Sequence, residues 1–252
     1  MKKISTINLE LLPRGKMFQD ICKSISALEA IICPEWNYRY FSYDKDWSIE
    51  EEVCEMRDGN GDHMLTLFKN SGIVINGFAH ESEMNGWRSK LIPKEEKKKK
   101  SFLNRIFSSA KKTEVKLVQK IWEGVIEGLP KEFEEFIFGE PIKSIGTTFC
   151  IWQKPIGNNW QIGNIQFPDD EYLDGSGKLL NLLDGNPITF KNWAEVYYDE
   201  QFRNSELHLE TVQEIYNQHK ITRHMVEKIN PDLDDFEKLK SDLVKIGYEN
   251  EI

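Results

Sequence analysis

Apolar residues over positions 16–32 fall at Phe18, Ile21, Cys22, Ile25, Leu28, Ile31 and Ile32, the recurrence of one helical face. The Pro13-Arg14-Gly15 breaker precedes this run and Pro34 ends it. Aromatic residues 38–42 then read as a strand. Residues 47–56 read as an edge strand with Ile49 and Val53 inward. Residues 63–69 and 73–79 predict a hairpin across a three-residue Asn70-Ser71-Gly72 loop. Both parities of this hairpin are largely apolar, Met64 and Phe68 against Leu65 and Leu67, Ile73 and Ile75 against Val74 and Phe78. A sheet so patterned is covered on both faces.

Farther on, residues 114–127 carry a helical period and Gly128-Leu129-Pro130 stops it, before a short helix over 131–136. Residues 147–152 predict a strand paired with 162–167. From Gly175 to the end the period is helical: Phe190, Trp193, Ala194 and Tyr197 share one face, Leu209, Val212 and Tyr216 another, and Phe236, Leu239, Leu243 and Ile246 a third. Thr222 and Asp234 stand where N-caps belong, Asn230-Pro231 divides two helices, and Gly247 supplies a stop. Strands early and helices late predict an α+β fold, with an antiparallel sheet of about five strands in the first two-thirds and a helical C-terminal third. We read residues 1–252 as a single domain carrying a flexible basic insertion at 92–113.

Composition narrows the function classes. Hydrophobic residues are 39% of the chain, but seven tryptophans and a 12% aromatic share supply large buried area. No run approaches a membrane span, the basic N-terminus is interrupted before a signal peptide forms, and the expected location is cytoplasmic. The net charge of −9 argues against nucleic-acid binding. Nine Lys and Arg against three Glu over 94–116 make a local +6, so the remainder carries −15. Residues 97–107 mix lysines with Phe102, Leu103, Ile106 and Phe107; they suit peripheral contact with an anionic membrane, and more simply a solvated surface insertion. Cys22, Cys33, Cys54 and Cys150 form no CxxC pair and read as buried reduced thiols.

Local chemistry concentrates at the predicted strand ends. Asp58-Gly59-Asn60-Gly61-Asp62 opens like a calcium loop, but His63 replaces the glycine and Lys69 the bidentate glutamate. A tight turn, with positive φ at both glycines and Asx side chains on their own backbone, accounts for it. His80 and Glu81 close the second hairpin strand and, as extended neighbours, would face opposite sides. A meeting of Asp62 with His80 would give a proton-transfer or metal pair, with Arg57 as an anion clamp and Trp152 alongside; the plainer reading is a histidine capping strand-end carbonyls. Asp174-Gly175-Ser176 reads as a helix start. No phosphate loop, nucleophile elbow or HExxH motif occurs, and neither a cofactor nor a metal is expected.

The conjunction of Met56-Arg57 through Asp62, Gly77-Phe78-Ala79-His80-Glu81-Ser82, Thr148-Phe149-Cys150-Ile151-Trp152, Asp174-Gly175-Ser176, Leu183-Asp184-Gly185, Tyr197-Tyr198, Asn230-Pro231 and Ile246-Gly247-Tyr248 resembles a group of uncharacterised bacterial proteins over roughly residues 45–250. That resemblance implies no activity. The phrase Gly128-Leu129-Pro130-Lys131-Glu132-Phe133-Glu134-Glu135-Phe136 is similar to one in the SMI1/KNR4-type (SUKH) proteins, and implies an immunity-like role against a basic toxin, which the acidic balance suits. The expectation is a soluble bacterial protein that binds a protein partner, as an immunity-like or regulatory protein. The alternative is an enzyme or small-ligand or metal-binding protein. In either case the candidate site residues are Arg57, Asp62, His80, Glu81 and Trp152.

Overall fold

A five-stranded antiparallel sheet in the order β1-β2-β3-β4-β7 organises the chain. Its strands are β1 (Phe41–Ser48), β2 (Glu51–Arg57), β3 (His63–Lys69), β4 (Gly72–Phe78) and β7 (Phe149–Gln153). Between β4 and β7 the chain makes a separate hairpin, β5 (Trp87–Pro93) with β6 (Thr113–Gln119), then the short helices α2 (Glu134–Phe138) and α3 (Ile142–Ile145). The computed structural model describes residues 3–93, 113–155, 159–168, 174–203 and 205–252. Most of the basic segment, including residues 97–107, therefore lies outside the described residues.

The two-sided pattern of the strands is met by two cores. On one face Cys54, Met56, Met64, Phe68, Ile73, Ile75, Phe149 and Ile151 pack against α1 (Gly15–Ile32) and the C-terminal helices. On the other, Val53, Leu65, Leu67, Val74, Cys150 and Trp152 meet Val125, Phe133, Ile137 and Ile142. Helix α1 is central because its apolar residues leave little of it to solvent: Phe18, Cys22, Ile25, Leu28 and Ile31 are all fully buried. Cys22, Cys54 and Cys150 are buried free thiols, and Cys33 is half-buried.

After β7 the chain is helical: α4 (Ser176–Leu179), α5 (Pro187–Tyr197), α6 (Asp199–Phe202), α7 (Leu209–Tyr216), α8 (Arg223–Ile229) and α9 (Phe236–Ile246), closed by a parallel pair, β8 (Ile221–Thr222) and β9 (Asn250–Glu251). Thr222 caps α8 through Met225 N–H, and Gly247, at φ 75°, ends α9. The cap of α9 is Asp235, which accepts from Lys238 N–H, and not Asp234.

Several local expectations give way to tertiary context. Residues 114–119 pair with β5 and are strand, and 123–128 are turns; pairing with a neighbouring strand overrides a weak helical period. Residues Trp36–Tyr38 are a 3-10 turn, and the strand begins at Phe41. What reads as one strand over 47–56 is the bend of the β1–β2 hairpin, so Ile49 is 92% exposed at its tip while Val53 is buried. Lys69 pairs with Gly72, which leaves two turn residues and not three. Residues 162–167 form no strand; Gln161 makes a single bridge to Trp152.

Candidate functional site

Four stretches far apart in sequence converge at the end of the sheet where β2 leaves and β3 enters. The first is the 58–62 turn. Gly59 and Gly61 take φ of 73° and 112°, and Asp58 Oδ1 accepts from the N–H groups of Asn60 at 2.8 Å and Asp62 at 3.0 Å. One side chain thus satisfies the turn's backbone, as an Asx turn does, and it aims Asp62 across β3 at the end of β4.

The second stretch is 79–82, which is a turn: Ser82 N–H donates to Ala79 O at 3.1 Å. Alternation along a strand therefore does not separate His80 from Glu81, and Glu81 Oε1 comes within 3.8 Å of His80 Nε2 while remaining exposed. Asp62 Oδ1 accepts from both His80 N–H at 2.9 Å and His80 Nδ1 at 2.8 Å. A carboxylate only accepts, so the Nδ1 nitrogen carries a proton in this contact. Gly61 allows this approach, because a Cβ there would sit 3.1 Å from His80 Cγ.

The third and fourth stretches knit this corner to the N-terminus. Asp174 is fully buried and its carboxylate accepts from Thr6 Oγ1 at 2.6 Å, Ser176 N–H at 2.9 Å and Ser176 Oγ at 2.7 Å. Burial raises its carboxyl above the usual range despite those bonds. Thr148 Oγ1 donates to Asp174 O at 2.6 Å and accepts from Ala79 N–H at 3.1 Å. Gly175, at φ 83°, lies so close to Ala79 that a Cβ would meet the alanine methyl at 2.1 Å. From α4, Lys178 Nζ donates to Asp62 Oδ2 at 2.7 Å and Asp58 Oδ2 at 3.2 Å. The hydrogen bond to Asp62, with that to Asp58, holds the Lys178 ammonium well above its ordinary value. Burial alone would raise the Asp62 carboxyl, but the bonds from Lys178 and His80 outweigh it and hold it below the usual range.

The Lys178 ammonium thus occupies the space between two carboxylates that a cation would use. Among the described residues no group of three or more His, Cys, Asp or Glu side chains is arranged to hold a metal.

Lys178 also borders a cleft of about 670 Å³ whose walls include Tyr40, Trp193, Ile7, Asn8 and Asn181. The Tyr40 ring lies 4.7 Å from Trp193 and 5.1 Å from Tyr197, and Trp193 stacks on Tyr197 at 4.8 Å and 22°. Burial pushes the Tyr40 hydroxyl up to about 12, with Lys178 pulling it down and Asp58 and Asp62 raising it. Tyr40 therefore sits in the field of the Asp–Lys junction.

Of the five residues singled out from sequence, the structure brings Asp62, His80 and Glu81 together. Arg57 engages a different set: its guanidinium lies 4.2 Å from the Trp36 ring centroid, donates to Trp36 O at 3.3 Å and stands 3.7 Å from Glu55. Trp152 is core, 3% exposed, paired with Val74 toward the far end of β4, and its indole N–H donates to Gln161 at 3.2 Å. Sequence reasoning missed Lys178, Tyr40 and Trp193, and read Asp58 as a turn residue or a calcium ligand, not as a partner of Lys178. Nothing local marks Lys178, whose partner Asp62 is 116 positions away. No family model, curated protein or solved structure matches this chain.

Proposed function

We propose that the protein works by docking a protein partner over the cleft beside the Asp62–Lys178 pair, in an immunity-like or regulatory role. The observation that carries this reading is the aromatic wall and its apolar rim. Trp193 and Tyr40 line the cleft, while Ile7 is 42% and Tyr197 39% exposed beside it. Exposed aromatic and aliphatic groups clustered at a concavity are the usual anchor points of protein interfaces. The net charge of −9 favours a basic partner, whose encounter it would accelerate. The test places a photo-crosslinking residue at Tyr197, and separately at Val244, in cells that make the protein. A single partner crosslinked from position 197 alone, whose purified form binds Trp193→Ala at least tenfold more weakly, supports docking at the cleft. Equal labelling from both positions, or unchanged affinity of Trp193→Ala, removes it.

A second reading rests on the Asp62–His80 pair. With Nδ1 fixed by a carboxylate and Nε2 turned toward Glu81 at the surface, His80 has the arrangement of a general base. The sign of this reading would be turnover of an activated ester that is lost in His80→Gln. A rate equal in His80→Gln and wild type ends it.

A further inference from the structure

Behind the aromatic wall lies a carboxylate that no part of the junction uses. Glu29, in the last turn of α1, is wholly shielded from solvent. Its Oε2 accepts from Tyr40 N–H at 3.0 Å and from the Tyr198 hydroxyl, whereas Oε1 has no hydrogen-bond partner. The groups that face it come from three directions. Arg39, from the segment before β1, acts on it while held by Asp242 and by the carbonyls of Cys33 and Pro34. Cys33 lies at the end of α1, and Tyr197 and Tyr198 at the end of α5.

Of the two groups that Glu29 holds, Tyr40 lines the cleft and Tyr198 packs behind its Trp193 wall. Tyr40 packs on Trp193 at 4.7 Å, and Tyr198 meets Trp193 edge-on at 6.1 Å and Tyr197 at 4.9 Å. An ionised acceptor binds N–H and O–H donors about twice as strongly as a neutral one. A buried carboxylate with one oxygen unpartnered is costly to keep ionised. The two effects oppose each other at a single side chain that joins α1, β1 and α5.

We propose that Glu29 is a proton switch for the cleft. Ionised, it fixes the Tyr40 backbone and the Tyr198 ring and so sets the wall; protonated, it weakens both bonds and frees Tyr198 and Trp193 to shift. Its regulatory meaning rests on the cleft being the docking surface, but the switch itself does not need a partner to be seen. Burial pushes the Glu29 carboxyl up to about 7, against the lowering by Tyr198, Tyr40, Phe41 and Arg39, which brings the change into the neutral range.

The indole N–H signal of Trp193, assigned with Trp193→Phe, reads the switch by NMR between about pH 5.5 and pH 8.5, a span that covers carboxyl values raised this far. The signal should move with a midpoint near 7 in the wild type, move equally in His80→Asn, and stay still in Glu29→Gln. Tyr198→Phe, which removes a donor to the ionised form, should move the midpoint upward and serves if Glu29→Gln does not fold. A still signal in the wild type, a titration that survives Glu29→Gln, or one abolished by His80→Asn overturns the proposal. Because this readout uses the protein alone, a titrating wall with no crosslinked partner would mean that the docking reading fails and the switch stands. A partner that docks on a wall that does not titrate would mean the reverse.

Discussion

Asp62 holds His80 twice, at its backbone N–H and at Nδ1, through the same carboxylate oxygen, while its other oxygen takes Lys178. The turn after β4 is therefore fixed to the turn before β3 by a side chain that is 5% exposed. Removing one member of such a network strands the others, at a cost that exceeds what the pair itself contributes.

Asp62→Asn should destabilise the protein by about 2 kcal/mol at neutral pH, the cost of leaving a buried, charge-assisted set unpaired. The folded-state carboxyl is held below its ordinary value of 3.8. Its stabilisation is therefore fully present above that value and is lost as pH falls through the lower, folded one. Urea midpoints of variant and wild type should differ at neutral pH and converge in acid. A gap that stays constant into strong acid would show that Asp62 contributes through shape and not charge.

Gly61→Ala should cost more than Gly59→Ala. Both glycines have positive φ, so each substitution carries about 1 kcal/mol of backbone strain. Only at Gly61 does the new methyl also meet His80, at 3.1 Å from Cγ, whereas Gly59 has nothing within 4 Å. Denaturant unfolding of the two variants measures the difference, and the His80 ring resonances should shift in the first alone.

Stability should fall as pH rises through the range set by Glu29. Unfolded, this carboxyl ionises near 4.5; folded, it holds its proton to about 7. Between those values the folded state binds the extra proton, so stability declines as pH rises across the window and levels above it. The separation is worth about 3 kcal/mol. Relative to wild type, Glu29→Gln should therefore be more stable at pH about 8 than at pH about 5, by an amount of that order. Thermal unfolding followed across pH checks the sign.

Asp174→Ala should release the N-terminal segment. Thr6 donates to the Asp174 carboxylate and to the Ser176 hydroxyl, and both acceptors are buried. A loss of about 3 kcal/mol is expected for stranding this many buried donors, with amide exchange rising first around Thr6 and Ser176. Exchange that rises uniformly over the chain would mean that the network does not anchor the segment separately.

Much of this was legible in the chain. The α1 helix follows from its apolar spacing, because a helix needs only local periodicity to present one face. The same holds for the two-faced β3–β4 hairpin, where apolar residues at both parities announced cover on both sides. The 58–62 turn was readable too, since its glycines and Asx residues satisfy one another within five positions.

What the sequence by itself determined were these local conformations and the α+β class they add up to. Tertiary structure alone decided that residues 114–119 are strand, because their partner β5 lies beyond the basic segment. It decided that Trp152 is core and that Arg57 stacks on Trp36. Above all it decided that Asp62, His80 and Lys178 meet, with Tyr40 and Trp193 beside them. The physical reason is the same each time: pairing between distant segments is selected by register and shape complementarity across the whole fold, and a carboxylate carries no local mark of the ammonium, 116 residues away, that will neutralise it.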